Sequence, residues 1–250
     1  SRIEVKSIYS EILKADREYT VYLPYSFDRD AERKYPVLYL LHGMTDTNHS
    51  WYSRGHLGEV VDVLVASGEA AEMIVVTPNA GGRFEDGAWN GYFDMPGWKY
   101  ETFFFEEFLP HIESTYRIVG DKNNRAIAGL SMGGGGATSY GQKYPDKFCA
   151  VYAMSALMNI PGHDMSRSGD PEDKCMILTR SVIDNSCVRF VQQADDSGKQ
   201  LLRSVSWFVD CGDDDFLLDR NLEFYQAMRH SHIPCELRVR DGGHSWEYWH

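Results

Sequence analysis

No apolar run in the sequence approaches the roughly 18 residues that a membrane-crossing helix needs, so neither a membrane span nor a membrane partner is expected. Positive charge is also scarce: 25 Lys and Arg stand against 37 Asp and Glu, a formal net charge of −12. Nucleic acid and anionic lipid would repel such a chain at long range, which argues against either as a partner. Cysteine is sparse too. None of Cys149, Cys175, Cys187, Cys211 and Cys235 belongs to a C-x-x-C pair, which speaks against zinc and dithiol chemistry. Cys149, Cys211 and Cys235 sit in or beside apolar strand-like segments and read as buried thiols. Cys175 and Cys187 are the candidates for a pair in an oxidising compartment, a pairing that cysteine usage leaves open. There is no internal repeat, no low-complexity tract and no signal peptide, and the start at Ser1 without a methionine suggests a processed or trimmed form.

Apolar surface, by contrast, is plentiful. The 250 residues are 43% hydrophobic and 13% aromatic, enough for one large core. Residues 37–41 and 73–77 are nearly continuous apolar runs, the mark of strands covered on both faces. Residues 1–23 read as two further strands, and 125–128, 149–155, 205–211 and 236–240 as four more. Helical patterns fall at 57–67, 134–144, 217–230 and 100–116, the last with Phe104, Phe108, Ile112 and Tyr116 at spacings of four. Strands alternating with helices predict an α/β fold: a mainly parallel central sheet with helices on both faces. Residues 79–99 form a loop rich in Gly, Asn and aromatics. From about 157 to 204 the pattern weakens before a helix near 178–195. This segment is expected as an insertion over the sheet edge, within a single domain spanning 1–250.

The chemistry concentrates where such strands end, which is where ligands of open parallel sheets gather. Gly129-Leu130-Ser131-Met132-Gly133 is a G-x-S-x-G sequence between a strand and a helix. The flanking glycines allow a turn too tight for side chains, and the serine is left exposed above the sheet. A plain glycine-rich turn would look the same, so the context has to decide. Gly212-Asp213-Asp214-Asp215 follows a later strand and Asp241-Gly242-Gly243-His244 the last one, giving the order serine, acid, histidine. His244 is the expected general base for Ser131. Asp213, Asp214, Asp215 and Asp219 compete for the third role. Asp219 belongs in the following helix, and Asp215 is preferred because it stands last in the loop, before Phe216 and Leu217 anchor the chain. Two backbone N–H groups should stabilise the oxyanion, those of Met132 and Met44, with His42 orienting the second loop. His230 and His232 flank a helix end and read as caps. The His and Cys spacings offer no metal cluster, and no cofactor is expected.

The motifs LYLLHGM, AGLSMGG, CGDDDFL and GGHSWEYW resemble the esterase D-like branch of the α/β-hydrolases. The likeness is to carbohydrate esterase family 1 (feruloyl and acetylxylan esterases) and the related tributyrin-type esterases, and it runs from about Arg17 onward. It implies an α/β-hydrolase fold, a triad of Ser131, Asp215 and His244, and backbone donors at Met44 and Met132. It also implies that Trp51 and the 79–99 loop border the acyl pocket, where Trp89, Tyr92 and Trp98 offer flat apolar contact to a hydroxycinnamoyl ring. The implied activity is serine ester hydrolysis through an acyl-enzyme, on small-molecule or polysaccharide-linked feruloyl esters of the plant cell wall and in xylan degradation. A secreted or periplasmic location would suit that substrate. Acetylxylan esterase, short-chain acyl esterase and S-formylglutathione hydrolase are the nearest alternatives, although Met44-Thr45-Asp46-Thr47 lacks the cysteine of the last group. Acyl transfer and a non-catalytic binding module are more distant. Two features depart from the pattern: the chain stops at His250 where relatives continue into a terminal helix, and four glycines stand in a row at 133–136.

Overall fold

The apolar runs form adjacent strands inside an eight-stranded sheet in the computed structural model, which describes residues 1–160, 170 and 172–250. In chain order the strands are β1 (Arg2–Ser10), β2 (Ala15–Leu23), β3 (Val37–Leu41), β4 (Ile74–Pro78), β5 (Asp94–Met95), β6 (Trp98–Lys99), β7 (Arg125–Leu130), β8 (Ala150–Met154), β9 (Ser206–Gly212) and β10 (Glu236–Arg240). The large sheet runs β1-β2-β4-β3-β7-β8-β9-β10, and β5 and β6 make a separate small hairpin. The β1–β2 and β2–β4 pairs are antiparallel, and every pair from β4 to β10 is parallel.

Alternation along the strands decides which face each side chain serves. Val37, Tyr39 and Leu41 of β3 enter a large core with Ile74, Val76 and Ile127. Leu40 of the same strand joins a second cluster on the opposite face with Val75, Leu57 and Val61. Helices covering both faces account for the lack of polar residues at alternate positions. The helical segment at 100–116 forms as Tyr100–Phe103, a π-helical stretch Phe104–Phe108, and Leu109–Thr115. Pro110 supplies no N–H to the Glu106 carbonyl, so the regular ladder cannot continue through this stretch.

The expectation of one helix near 178–195 is corrected to three: Lys174–Asp184, Cys187–Gln193 and Asp196–Leu202. Each starts at a side-chain cap, with Asp173 accepting from Met176 N, Ser186 from Arg189 N and Asp195 from Gly198 N. Capping by Ser186 ends any run through that position, because its ψ of 115° lies outside the helical range. Leu178, Val182, Cys187, Val191 and Leu202 enter the main core, and Cys187–Gln193 packs against the helices Met132–Lys143 and Leu218–His230. The helices from Lys174 to Leu202 therefore lie in the helical layer; residues 161–169 and 171 of the expected insertion lie outside the described residues. All five cysteines are free; Cys187 and Cys211 are buried, Cys149 and Cys235 half-buried and Cys175 exposed.

Candidate active site

Ser131 sits between β7 and the helix Met132–Lys143 with φ 53° and ψ −121°, a conformation that non-glycine residues rarely hold. Packing explains the four glycines that follow. A Cβ at Gly133 would lie 2.5 Å from the His42 carbonyl oxygen and 2.6 Å from that of Leu41. One at Gly135 would overlap the Leu157 carbonyl oxygen, and those at Gly134 and Gly136 would press on Ala156 and the Tyr92 ring. The helix start is thus wedged against the backbone of two neighbouring segments and the side chain of a third, an approach that glycine permits.

His244 stands beside the serine, its Nε2 3.0 Å from Ser131 Oγ. Its Nδ1 lies 2.9 and 3.1 Å from the two carboxylate oxygens of Asp215. An ionised carboxylate only accepts, so Nδ1 carries the proton and Nε2 is left to accept from the serine hydroxyl. Burial works to raise the Asp215 carboxyl, but hydrogen bonds from His244, Ser155 and the Leu217 N–H outweigh it and hold the group below the usual carboxylate range. Asp213 and Asp214 are exposed and serve the neighbouring loop: the Asp213 carboxylate accepts from Gly242 N at 3.0 Å, and Asp214 N donates to Gly242 O at 2.9 Å. Asp219 lies in the first turn of Leu218–His230, and His230 in its last.

The sequence did not point to the residues that hold this arrangement. The His244 ring lies between Phe216, 4.5 Å away centroid to centroid, and Trp249, edge-on at 4.8 Å. Trp249 Nε1 donates to Ser155 Oγ at 2.9 Å. An indole N–H only donates, so Ser155 keeps its own proton for the Asp215 carboxylate. Ser155 follows β8, which lies between the strands bearing Ser131 and Asp215. That position, at the carboxyl end of a middle strand, was the available signal. Phe216 does not anchor its loop as expected. It is 75% exposed, and Leu217 beside it is the buried residue.

The loop after β3 is held from below. His42 is buried, donates from Nδ1 to Gly43 O at 2.7 Å and accepts at Nε2 from Ala80 N at 2.9 Å. Burial pushes the ring down to about 4, so it is neutral at ordinary pH. Thr45 N donates to Asn90 Oδ1 at 2.8 Å, and Tyr92 Oη to His42 O at 3.0 Å. A Cβ on Gly43 would lie 3.6 Å from Ser131 Cβ, so this loop stands directly over the elbow. Among the described residues, neither the Met44 nor the Met132 N–H has an intramolecular acceptor.

The four aromatics expected at the acyl pocket are placed differently. Trp51, Tyr92 and Trp98 are 4%, 1% and 4% exposed and belong to the core. The indole N–H of Trp51 is taken by Leu41 O and that of Trp98 by Gly91 O, while Trp89, Trp98 and Tyr100 stack on one another. The loop uses these rings to pack its own interior. Trp89 is half-buried and lines a separate cleft with Lys174 and Arg180. The cleft at Ser131 and His244, about 710 Å³, is walled by Met44, Leu130, Phe216, Trp246 and Trp249, with Asp46, Arg54 and Glu247 as its charged groups. A larger cavity of about 960 Å³ between Cys187–Gln193 and Leu218–His230 includes none of the expected site residues. No helix among the described residues is long and apolar enough to cross a membrane. No group of three or more His, Cys, Asp or Glu among them could hold a metal ion.

A family model described as putative esterase matches residues 10–250. A solved ferulic acid esterase is 65% identical and superposes with a TM-score of 0.96, covering 99% of this chain and 92% of that one. The endo-1,4-beta-xylanase/feruloyl esterase of Xylanibacter ruminicola is 34% identical over 135 residues, which are 53% of this chain but only 18% of that longer protein. An acetyl esterase of Caldicellulosiruptor saccharolyticus is 25% identical over 272 residues, 97% of this chain and 92% of that protein. With its mainly parallel sheet and helices on both faces, the chain has the α/β-hydrolase fold; it belongs to the putative esterase family and is a carboxylic ester hydrolase of the carbohydrate esterase family 1 type.

Proposed function

We propose that the protein hydrolyses hydroxycinnamoyl esters through an acyl-enzyme on Ser131, with His244 as general base and acid and Asp215 as its partner. The observation that carries this reading is the continuous hydrogen-bond chain from Ser131 Oγ through His244 to Asp215, at 3.0 and 2.9 Å. Ser131 Oγ attacks the ester carbonyl as its proton passes to His244 Nε2. The negative charge that develops on the carbonyl oxygen is met by the N–H groups of Met44 and Met132. Collapse of the tetrahedral intermediate breaks the ester C–O bond, and His244 returns its proton to the leaving alcohol. A water then gives a proton to His244 and attacks the acyl-serine, releasing the acid and restoring Ser131. Residues 1–250 act in this reading as one catalytic domain, because the helices between 174 and 202 share the core of the strands.

The feruloyl preference is supported by 65% identity to a ferulic acid esterase and by the rings of Phe216, Trp246 and Trp249 in the cleft wall. Likeness over 97% of the chain to an acetyl esterase favours short acyl esters as the second reading. Rates on methyl ferulate, p-nitrophenyl acetate and S-formylglutathione, measured side by side, separate the two. A higher kcat/KM on methyl ferulate, with turnover lost in Ser131→Ala, is the expected result. Substantial turnover by Ser131→Ala would refute the mechanism, and preference for acetate would leave the second reading in its place.

A further inference from the structure

Three hydrogen bonds join residues 80–92 to the loop after β3. Ala80 N donates to His42 Nε2, Thr45 N to Asn90 Oδ1, and Tyr92 Oη to His42 O. The two loops also meet backbone to backbone: a Cβ at Gly81 would lie 2.8 Å from the Asp46 carbonyl oxygen and 2.6 Å from Asn90 Oδ1. Between them these contacts fix two successive peptides beside Ser131.

The first peptide joins Gly43 to Met44. Its carbonyl accepts from His42 Nδ1 at 2.7 Å and from Asp46 N at 3.2 Å. In a trans peptide the N–H points opposite to the carbonyl, so the Met44 N–H is directed away from the His42 ring. The second peptide joins Met44 to Thr45, and Asn90 holds it by its N–H. Thr45 has φ 65°, a left-handed conformation that a β-branched residue rarely adopts. The residue is exposed at the cleft, so packing of its side chain does not hold it there. Asn90 is wholly buried instead, and its Nδ2 donates to Gly82 O at 2.8 Å, which fixes the amide with Oδ1 toward Thr45 N.

Backbone strain persists where the surroundings over-determine it, and it gathers at functional sites. We propose that Asn90 is a positioning residue for the oxyanion site: by binding Thr45 N it holds residue 45 left-handed and keeps the Met44 N–H turned toward the cleft at Ser131. Without that bond Thr45 would relax toward negative φ, and the chain between Gly43 and Asp46 would turn with it. The proposal rests on the Ser131–His244–Asp215 reading with Met44 as a donor, though not on the identity of the acyl group.

The test measures kcat/KM on methyl ferulate and p-nitrophenyl acetate for the wild type, Asn90→Ala, Thr45→Gly and the double variant. It also measures Ki for phenethyl trifluoromethyl ketone, whose adduct with a serine carries an oxyanion. Asn90→Ala should lower kcat/KM about 100-fold on both esters through kcat, the scale of one oxyanion donor, and raise Ki by a similar factor. Glycine holds φ 65° without strain, so on the Thr45→Gly background the same substitution should cost about tenfold less. The acid limb of the pH profile should stay in place, because His244 and Asp215 are untouched.

A smaller folded fraction would lower kcat and leave Ki alone, and that result would overturn the proposal. So would a loss below about threefold, equal losses on the two backgrounds, or a shifted acid limb, which would trace the defect to the triad. If Asn90→Ala does not fold, Thr45→Gly and the double variant supply the comparison, and an unchanged Ki between them overturns it. Both esters form the same oxyanion, so failure of the feruloyl reading is seen separately, in their relative rates. Turnover surviving in Ser131→Ala would sink the parent mechanism, and the proposal with it.

Discussion

His42 makes the stability of the Ser131 site depend on pH in a direction that can be worked out. The ring is neutral in the fold, with burial pushing it from 6.5 down to about 4, whereas the unfolded chain binds a proton near 6.5. Protons therefore favour the unfolded chain, and stability is lost as pH falls from about 6.5 towards 4, with no effect above that window. The difference is about 3 kcal/mol in full, of which roughly 2 kcal/mol falls between pH 7 and pH 5. His42→Asn removes the titration and keeps a donor for Gly43 O, but leaves Ala80 N without its acceptor. That loss should cost about 1–3 kcal/mol at pH 7.

Urea unfolding of both proteins at pH 7, 6 and 5 is the assay. Carboxylates elsewhere titrate in both and cancel in the comparison, so the stability gap between wild type and His42→Asn should shrink by about 2 kcal/mol on going to pH 5. Parallel curves would refute the reasoning, because they would mean that the ring protonates as easily in the fold as outside it. In the proposed mechanism the same ring orients the loop bearing the Met44 N–H. The variant should accordingly lose kcat at pH 7 even where it is fully folded.

Asp215→Asn should lower kcat by roughly 10⁴, as expected when the histidine tautomer is no longer fixed, while Asp213→Asn and Asp214→Asn should have much smaller effects. A crippled Asp214→Asn would show that the acid had been misassigned. Gly135→Ala should lower stability by about 3 kcal/mol or more, since its Cβ would overlap a backbone oxygen that cannot swing aside; a melting temperature near wild type would contradict the packing described. Tyr92→Ala should cost about 3–5 kcal/mol and reduce turnover of methyl ferulate and methyl acetate equally, because Tyr92 is a core residue. A selective loss on ferulate would return Tyr92 to the acyl pocket.

The parts of the site legible in the sequence are those in which the backbone allows little choice. Glycines around Ser131 announce a turn without room for side chains, and the serine, acid, histidine order follows from three strand ends on one side of a parallel sheet. The orientation of the aromatics depends instead on tertiary contacts. Composition treats Trp89, Tyr92 and Trp98 as flat surfaces available to a ligand. In the fold, polar atoms of these rings are committed to backbone carbonyls: Trp98 caps Gly91 O of its own loop, and Tyr92 caps His42 O of the loop after β3. The reverse holds at Phe216 and Leu217, adjacent apolar residues of which one is buried and the other lies against His244 in the open. No local pattern distinguishes those two. The break at Ser186 was readable in principle, since a serine whose side chain can accept from the N–H three residues on is a common helix start.

The acid and the histidine are aligned by one strand pair. β9 and β10 run parallel in register, Gly212 opposite Arg240, so the loops bearing Asp215 and His244 leave the sheet side by side. A Cβ at Gly212 would overlap the Gly242 carbonyl oxygen, which means that the two loops meet backbone to backbone. Asp210 of β9 then ties down the turn beyond the histidine. It is buried, and it accepts hydrogen bonds from Tyr248, Tyr152 and Arg240. Within six residues β9 and the loop that follows it therefore carry both the carboxylate beside His244 and the one that anchors the turn carrying Trp246, Glu247 and Trp249. A shift of that strand would move the proposed acid, the base and the cleft wall at Trp246 and Trp249 together. Preorganisation of this kind holds only if the strand is rigid, and β9 is placed for it, inside the sheet with β8 on one side and β10 on the other.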